Sequence, residues 1–192
     1  MPLTERMAAA RRGRVGSSEI AALPLINAHE YMTPGDVWDR VVLGTEVQEN
    51  EAMRIGSYLE PHVLRMLRWQ GLQSRACWLP YVHPDLPLSA SPDAYSMPHK
   101  GYGRGLVEVK VTASAWGAEL PTRVYWQVQG QLLLTGRPVC WVATLRGSRL
   151  DVSAVEPDLD AGVHIERAVA QFWDSYVLPR KRPDPIPFTF RS

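Results

Sequence analysis

The chain is poor in several things, and each shortage removes a class of protein. Only two cysteines, Cys77 and Cys140, occur among 192 residues. Two thiols cannot hold a four-thiolate iron–sulfur cluster or a structural zinc ion. Both sit among apolar neighbours, in Ala76-Cys77-Trp78 and Val139-Cys140-Trp141, and read as buried reduced thiols. The histidines, His29, His62, His83, His99 and His164, are scattered. None makes a pair at metal-ligand spacing, and no serine–histidine arrangement is visible. No apolar run approaches the roughly 20 residues that span a bilayer. The opening PLTERMAAARRGR lacks the apolar core of a secretory signal, so a cytoplasmic location is expected. Formal net charge is only +1, which gives no global argument for a polyanion partner.

What is present is a globular composition. Hydrophobic residues make up 45% and charged residues 21%, enough to build one full core in a domain of this length. The basic residues cluster locally: Arg11, Arg12 and Arg14 near the start, and Arg180, Lys181 and Arg182 near the end. No internal repeat or domain boundary stands out. Residues 1–178 are expected to form a single domain, followed by a proline-rich basic tail, 179–192, extended and poorly packed.

Helical patterns come first. Residues 1–12 favour a helix, and a second short one is expected in GRVGSSEIAA, capped by Ser17 or Ser18. Thr33-Pro34 begins another, with a capping hydroxyl and a proline in the first turn, and Gly44 ends it. The longest pattern runs from Glu51 to Trp69, with Met53, Ile55, Leu59, Val63, Leu64, Met66 and Leu67 at helical spacing. Pro61 lies inside it and predicts a kink or a junction near Glu60. Short strands follow at about 76–82, 88–94, 105–111, 139–145 and 149–155, the last two joined by Arg146-Gly147-Ser148. A helix over 122–135 lies between strands. An amphipathic helix from Asp158 to Val177 closes the domain, its apolar positions including Val163, Ile165, Val169 and Phe172. This order implies an α/β fold, a central mixed β-sheet flanked by helices.

The stretch from Ser89 to Thr112 carries the chemistry. Pro92-Asp93 precedes a Gly-rich turn and an apolar strand holding Glu108 and Lys110. Charges in such a strand require partners. Residues 108 and 110 project from one face. With Asp93 at the end of a neighbouring strand, two carboxylates and a lysine would meet. That set suits a hard divalent cation beside an attacked phosphate. Asp93 and Glu108 would bind Mg²⁺, with the main-chain carbonyl of Val109 a further ligand. Lys110 would hold or activate the attacking water, or stabilise the charge that builds on the phosphate. Gln127, in an otherwise apolar helix, would be a buried amide in need of partners, and Gln129 is the weaker candidate, on nearly the opposite side.

In this order the residues resemble the PD-(D/E)xK nuclease superfamily, and more narrowly the phage-lambda-type exonucleases, the YqaJ-like viral recombinase nucleases. The resemblance rests on Arg11-x-Gly13 leading into Ser17-Ser18-Glu19-Ile20, then Gly56-x-x-Leu59-Glu60, then Ser91-Pro92-Asp93-Ala94. Leu106-Val107-Glu108-Val109-Lys110 and Gln127-Val128-Gln129-Gly130 with Thr135-Gly136 complete it. It covers about residues 11–178. One departure is the aromatic residue that often precedes the first arginine; Met7 stands near its place.

The resemblance implies a restriction-endonuclease-like core and a Mg²⁺-dependent deoxyribonuclease, with Mn²⁺ able to substitute. The implied substrate is double-stranded DNA ends, digested 5′ to 3′ to leave 3′ single strands for phage-type recombination. Arg11 and Ser18 would grip the 5′-phosphate, with Arg14 a rival for the same task. Glu60 would lie at the metal as ligand or just outside it, and Gln127 would face the reaction. A single-strand annealing protein and a homotrimer are the implied partners, and a phage or prophage in a bacterial host the implied setting. A RecB-like or endonucleolytic enzyme of the same superfamily is one alternative, and a catalytically inactive DNA-binding module another. Trp116 and Trp126 flank the expected site in sequence, and Trp116 could stack on a base.

Overall fold

The computed structural model describes residues 9, 11–46, 48–77, 80–113 and 119–185. In chain order these form β1 (Val15–Gly16), a 3-10 helix (Ser17–Ala22), and α1 (Pro34–Trp38) running into a π-helical turn (Asp39–Leu43). Next come α2 (Glu51–Trp69), β2 (Ser74–Ala76), β3 (Tyr81–Val82), β4 (Leu88–Ala90), β5 (Ala94–Ser96) and β6 (Gly105–Val111). Then follow α3 (Thr122–Thr135), β7 (Cys140–Arg146), β8 (Arg149–Val155), α4 (Leu159–Phe172) and a closing π-helical turn (Trp173–Val177).

The main sheet is mixed, in the order β2-β5-β6-β7-β8. Only β6 and β7 run parallel, and α3 is the crossover between them. Alternation along β6 divides its side chains between two layers. Val107 and Val109 face α2 with Val63, Leu64 and Leu67. Leu106 faces α3 with Val124, Val128 and Leu132. Glu108 and Lys110 share the parity of Leu106, so the strand delivers both charges to the α3 side. A small sheet, β1-β4-β3, carries the N-terminal segment. Its core joins Val15, Ile20, Leu23, Val37 and Leu88 to Ile165, Val169 and Phe172 of α4.

The N-terminal segment lies directly on α3 because of Gly130. A Cβ built there would stand 2.3 Å from Ile20 Cδ1 and 3.5 Å from Ser17 Cβ. A side chain there would force the end of Ile20 to move aside, so glycine suits that approach.

Several expectations hold. Thr33 caps α1 with Asp36 in a reciprocal capping box, and Gly44 closes the following turn at φ 72°. Gly147 and Ser148 join β7 to β8. Cys77 and Cys140 are buried thiols, and no disulfide joins them.

Others are corrected. The strands expected over 76–82 and 88–94 are each split between the two sheets. The chain leaves the small sheet after Ala90 and enters the large one at Ala94. Pro92 has no N–H for a ladder, so Ser91-Pro92-Asp93 becomes the crossing between sheets. The helix α2 runs unbroken through Pro61, so no junction divides it there. The carbonyl that loses its donor belongs to exposed Ser57, where water can replace the bond. Neither Ser17 nor Ser18 caps the 3-10 helix; Glu19 instead accepts from the Gly16 N–H at 2.7 Å. Val163 is 57% exposed and not part of the core. The first part of the tail is not loose: Arg182 donates from Nη2 to Asp39 Oδ2 at 2.7 Å, and Pro183 is buried. Most of the helix expected over residues 1–12 lies outside the described residues.

Candidate active site

Four elements meet at one end of the main sheet. The crossing before β5 brings Asp93, β6 brings Glu108 and Lys110, α3 brings Gln127 and Gln131, and α2 brings Glu60. Asp93 Oδ2 accepts from the Val109 main-chain N–H at 2.6 Å, which pins its carboxylate against β6. The geometry therefore places Asp93 beside Glu108, although it precedes β5 and does not end a strand.

Glu108 is only 3% exposed and each of its oxygens is engaged. Its Oε1 accepts from Lys110 Nζ at 2.7 Å and from Gln127 Nε2 at 2.7 Å. Its Oε2 accepts from Gln131 Nε2 at 2.7 Å. Lys110 also donates to Gln127 Oε1 at 2.9 Å, so carboxylate, ammonium and amide close a ring. Because a Gln amide has distinct donor and acceptor ends, this ring fixes which way Gln127 points.

Sequence reading missed Gln131. It is fully buried, and its amide touches Glu108 on one side while its Oε1 lies 3.9 Å from Cys140 Sγ on the other. The available signal was its spacing, since residues four apart in a helix share a face. Gln129, on another face of α3, has a structural task. It donates to the Glu156 carbonyl and accepts from the Asp158 N–H, at 2.9 Å each, and so ties α3 to the start of α4.

The electrostatics are lopsided. Burial, then the Glu108 and Glu60 charges, push the Asp93 carboxyl well above the usual carboxylate range, against the Val109 N–H and Lys110. Burial and Glu108 likewise raise Glu60. Burial alone would lower Lys110, but the Glu108 charge and hydrogen bond, with Asp93, more than offset it and hold the ammonium charged. Burial drives the Cys140 thiol up, so it stays a neutral neighbour. Three carboxyl groups thus face one fixed cation, and the site is short of positive charge.

That shortage and the all-oxygen donor set fit a hard divalent cation. Among the described residues, no three His, Cys, Asp or Glu side chains form a cage that could hold a metal ion by themselves.

The 5′-phosphate candidates lie elsewhere. Arg11 lines a surface concavity of about 600 Å³ with Arg12 and Arg40. Ser18 is exposed on the 3-10 helix, and Arg14 is half-buried beside it in sequence. Neither Arg11 nor Ser18 hydrogen-bonds to the Glu108 ring, but their segment packs on the helix that carries Gln127. Arg40 was not anticipated. Its guanidinium forks onto both oxygens of buried Glu19. Trp116 lies outside the described residues.

Comparison with known proteins places this arrangement. The chain has the fold of exonuclease structures. It is similar to an alkaline exonuclease from Laribacter hongkongensis, at 23% identity and a TM-score of 0.71, over 93% of this chain and 97% of that one. The same enzyme in complex with dAMP matches at 22% identity and a TM-score of 0.69, with the same coverage. A phage-related exonuclease from Haemophilus somnus 129PT matches at 11% identity and a TM-score of 0.62, over 87% of this chain and 96% of that one. The model of the YqaJ-like viral recombinase domain matches residues 7–138, and the chain belongs to that family. No curated protein matches it. Among the described residues, no helix is long and apolar enough to cross a membrane.

Proposed function

We propose that this protein is a Mg²⁺-dependent deoxyribonuclease that digests double-stranded DNA from its ends, 5′ to 3′, leaving 3′ single strands. The observation that carries the reading is the surplus of carboxylate around Asp93, next to a lysine held charged. Family membership supports the nuclease class.

In this reading residues 1–178 form the single nuclease domain, to which the tail is attached. Asp93 and Glu108 hold the ion together with the Val109 carbonyl, and Glu60 acts on it directly or through water. When bound, the ion supplies a polarised phosphate oxygen and a water of lowered pKa. Lys110 holds or activates the attacking water, or its ammonium meets the negative charge that builds on the phosphate. Gln127 orients that ammonium through its carbonyl, and Gln131 holds the Glu108 carboxylate in place. Arg11, with Arg14 and Ser18, grips the terminal phosphate, a task suited to the planar guanidinium fork. Mn²⁺ substitutes for Mg²⁺. The enzyme works in the cytoplasm of a phage-bearing bacterium. There it hands its product to a single-strand annealing protein, and it assembles as a homotrimer.

The test uses linear duplex DNA with a labelled 5′-phosphate, Mg²⁺, and either wild type or Lys110→Ala. Wild type should release labelled mononucleotide and leave 3′ overhangs, and Lys110→Ala should not. Equal rates for the two proteins would refute the assignment. Cleavage of closed circular duplex would point to an endonuclease.

A further inference from the structure

The helix α2 has two opposite faces, and only one belongs to the site. Glu60 and the core residues Val63, Leu64 and Leu67 share the inner face. Diametrically across the helix lie Tyr58, His62, Arg65 and Trp69, spaced by four, three and four residues and so forming one stripe. Tyr58 is 73% exposed and Trp69 79%. Tyr58 and His62 already stand as a ring pair, with centroids 5.7 Å apart. Arg54 and Arg68 both lie along one side of the stripe. All three arginines are exposed, and none of their guanidinium groups is among the ion pairs or side-chain hydrogen bonds of the described residues. The helix places one carboxylate on this face, Glu51, in its first turn.

We propose that this outer face of α2 is a track for single-stranded DNA. The inference rests on the nuclease reading, in which one strand of each duplex is left undigested and must be led away. Its own support is chemical. Aromatic side chains interleaved with unpaired cations are what a nucleic-acid single strand needs, since bases stack on the rings and phosphates meet the guanidinium groups. A duplex could use only the cations, because its bases are already stacked on one another. The stripe from Tyr58 to Trp69 is about 16 Å long, enough for several nucleotides of an extended strand. The track lies one helix diameter, about 10 Å, from the carboxylates that Glu60 helps to form.

The test is fluorescence anisotropy of a dye-labelled thymidine oligonucleotide with full-length protein in EDTA, where no cleavage occurs. Tyr58→Ala and Trp69→Ala should each weaken binding about ten-fold. Trp69→Phe should retain most of it. Arg65→Ala should flatten the log–log dependence of affinity on salt by about 0.7. In Mg²⁺, the same variants should cleave a short duplex at the wild-type rate, and their circular dichroism should be unchanged. Unaltered affinity and salt slope would overturn the proposal. So would loss of binding together with a fall in oligomer mass by sedimentation, because the face would then be a contact between copies. If wild type cleaved no DNA yet bound the oligonucleotide through Tyr58 and Trp69, the track would stand and the nuclease reading would fall.

Discussion

Glu19 and Glu108 are both buried, at 4% and 3% exposure, and both touch a basic side chain, yet they are built in opposite ways. Glu19 meets Arg40 fork to fork and also receives the Gly16 N–H. One negative charge faces one positive charge, and the pair is closed. Glu108 has Lys110 and two glutamine amides, but Asp93 and Glu60 crowd the same space. A balanced buried pair secures a segment of chain. An unbalanced cluster of perturbed groups is the kind that gathers at functional sites.

The sharpest way to break the comparison is to remove one charge from each cluster. Asp93→Asn should lower DNA cleavage about a thousand-fold or more, because in the proposed role it deletes a direct partner of the ion. It should leave DNA binding mostly intact and stability equal or higher, since a repelling charge is gone. Loss of binding by the folded variant, measured by anisotropy, would count against the role given to Asp93. Glu19→Ala should do the reverse. Stranding Arg40 should destabilise the protein by about 3–5 kcal/mol in urea unfolding. A change well under 1 kcal/mol would mean that the pair is not closed after all.

A smaller effect is expected at Gln131. Gln131→Leu keeps the volume but removes the donor to Glu108 Oε2, and cleavage should fall about ten-fold with Mg²⁺ affinity reduced. Wild-type rates in that variant would make the amide a mere core filler. The smallest effect concerns pH. Asp93 and Glu60 have raised folded-state pKa values, so their contribution to stability is fully present below the ordinary carboxylate pKa of about 4. It is lost as pH rises through the raised values. A divalent cation replaces the missing protons, so the Mg²⁺-induced rise in Tm should be larger at pH 8 than at pH 5. An equal rise at both would detach these carboxylates from the ion.

The Asp93–Glu108–Lys110 set was legible because strand alternation ties residues 108 and 110 to one face, whatever surrounds them. Gln127 was legible as a polar residue in an apolar helix. Gln131 shares that helix and face, but nothing local distinguishes a glutamine bonded to a distant carboxylate from one in solvent. The Glu19–Arg40 pair was invisible for a similar reason, since its partners are 21 residues apart and only the packed N-terminal segment brings them together. The split of the expected 88–94 strand depended on which sheet each half would join, and that choice is made by β1 and β6, not by the strand itself. Pro61 does not divide α2, because the Ser57 carbonyl it leaves without a donor belongs to an exposed residue that water can reach.

Gly130 carries a consequence for measurement. Without a side chain there, Ser17 and Ile20 sit against α3, and α3 holds Gln127 and Gln131. In the proposed roles, the residues that grasp a terminal phosphate and those that orient the reaction share one rigid mount. The gap between them is then a ruler, machined by packing, that sets how far from the end the phosphodiester is cut. A bulkier residue at 130 would recalibrate the instrument before it blunted the blade.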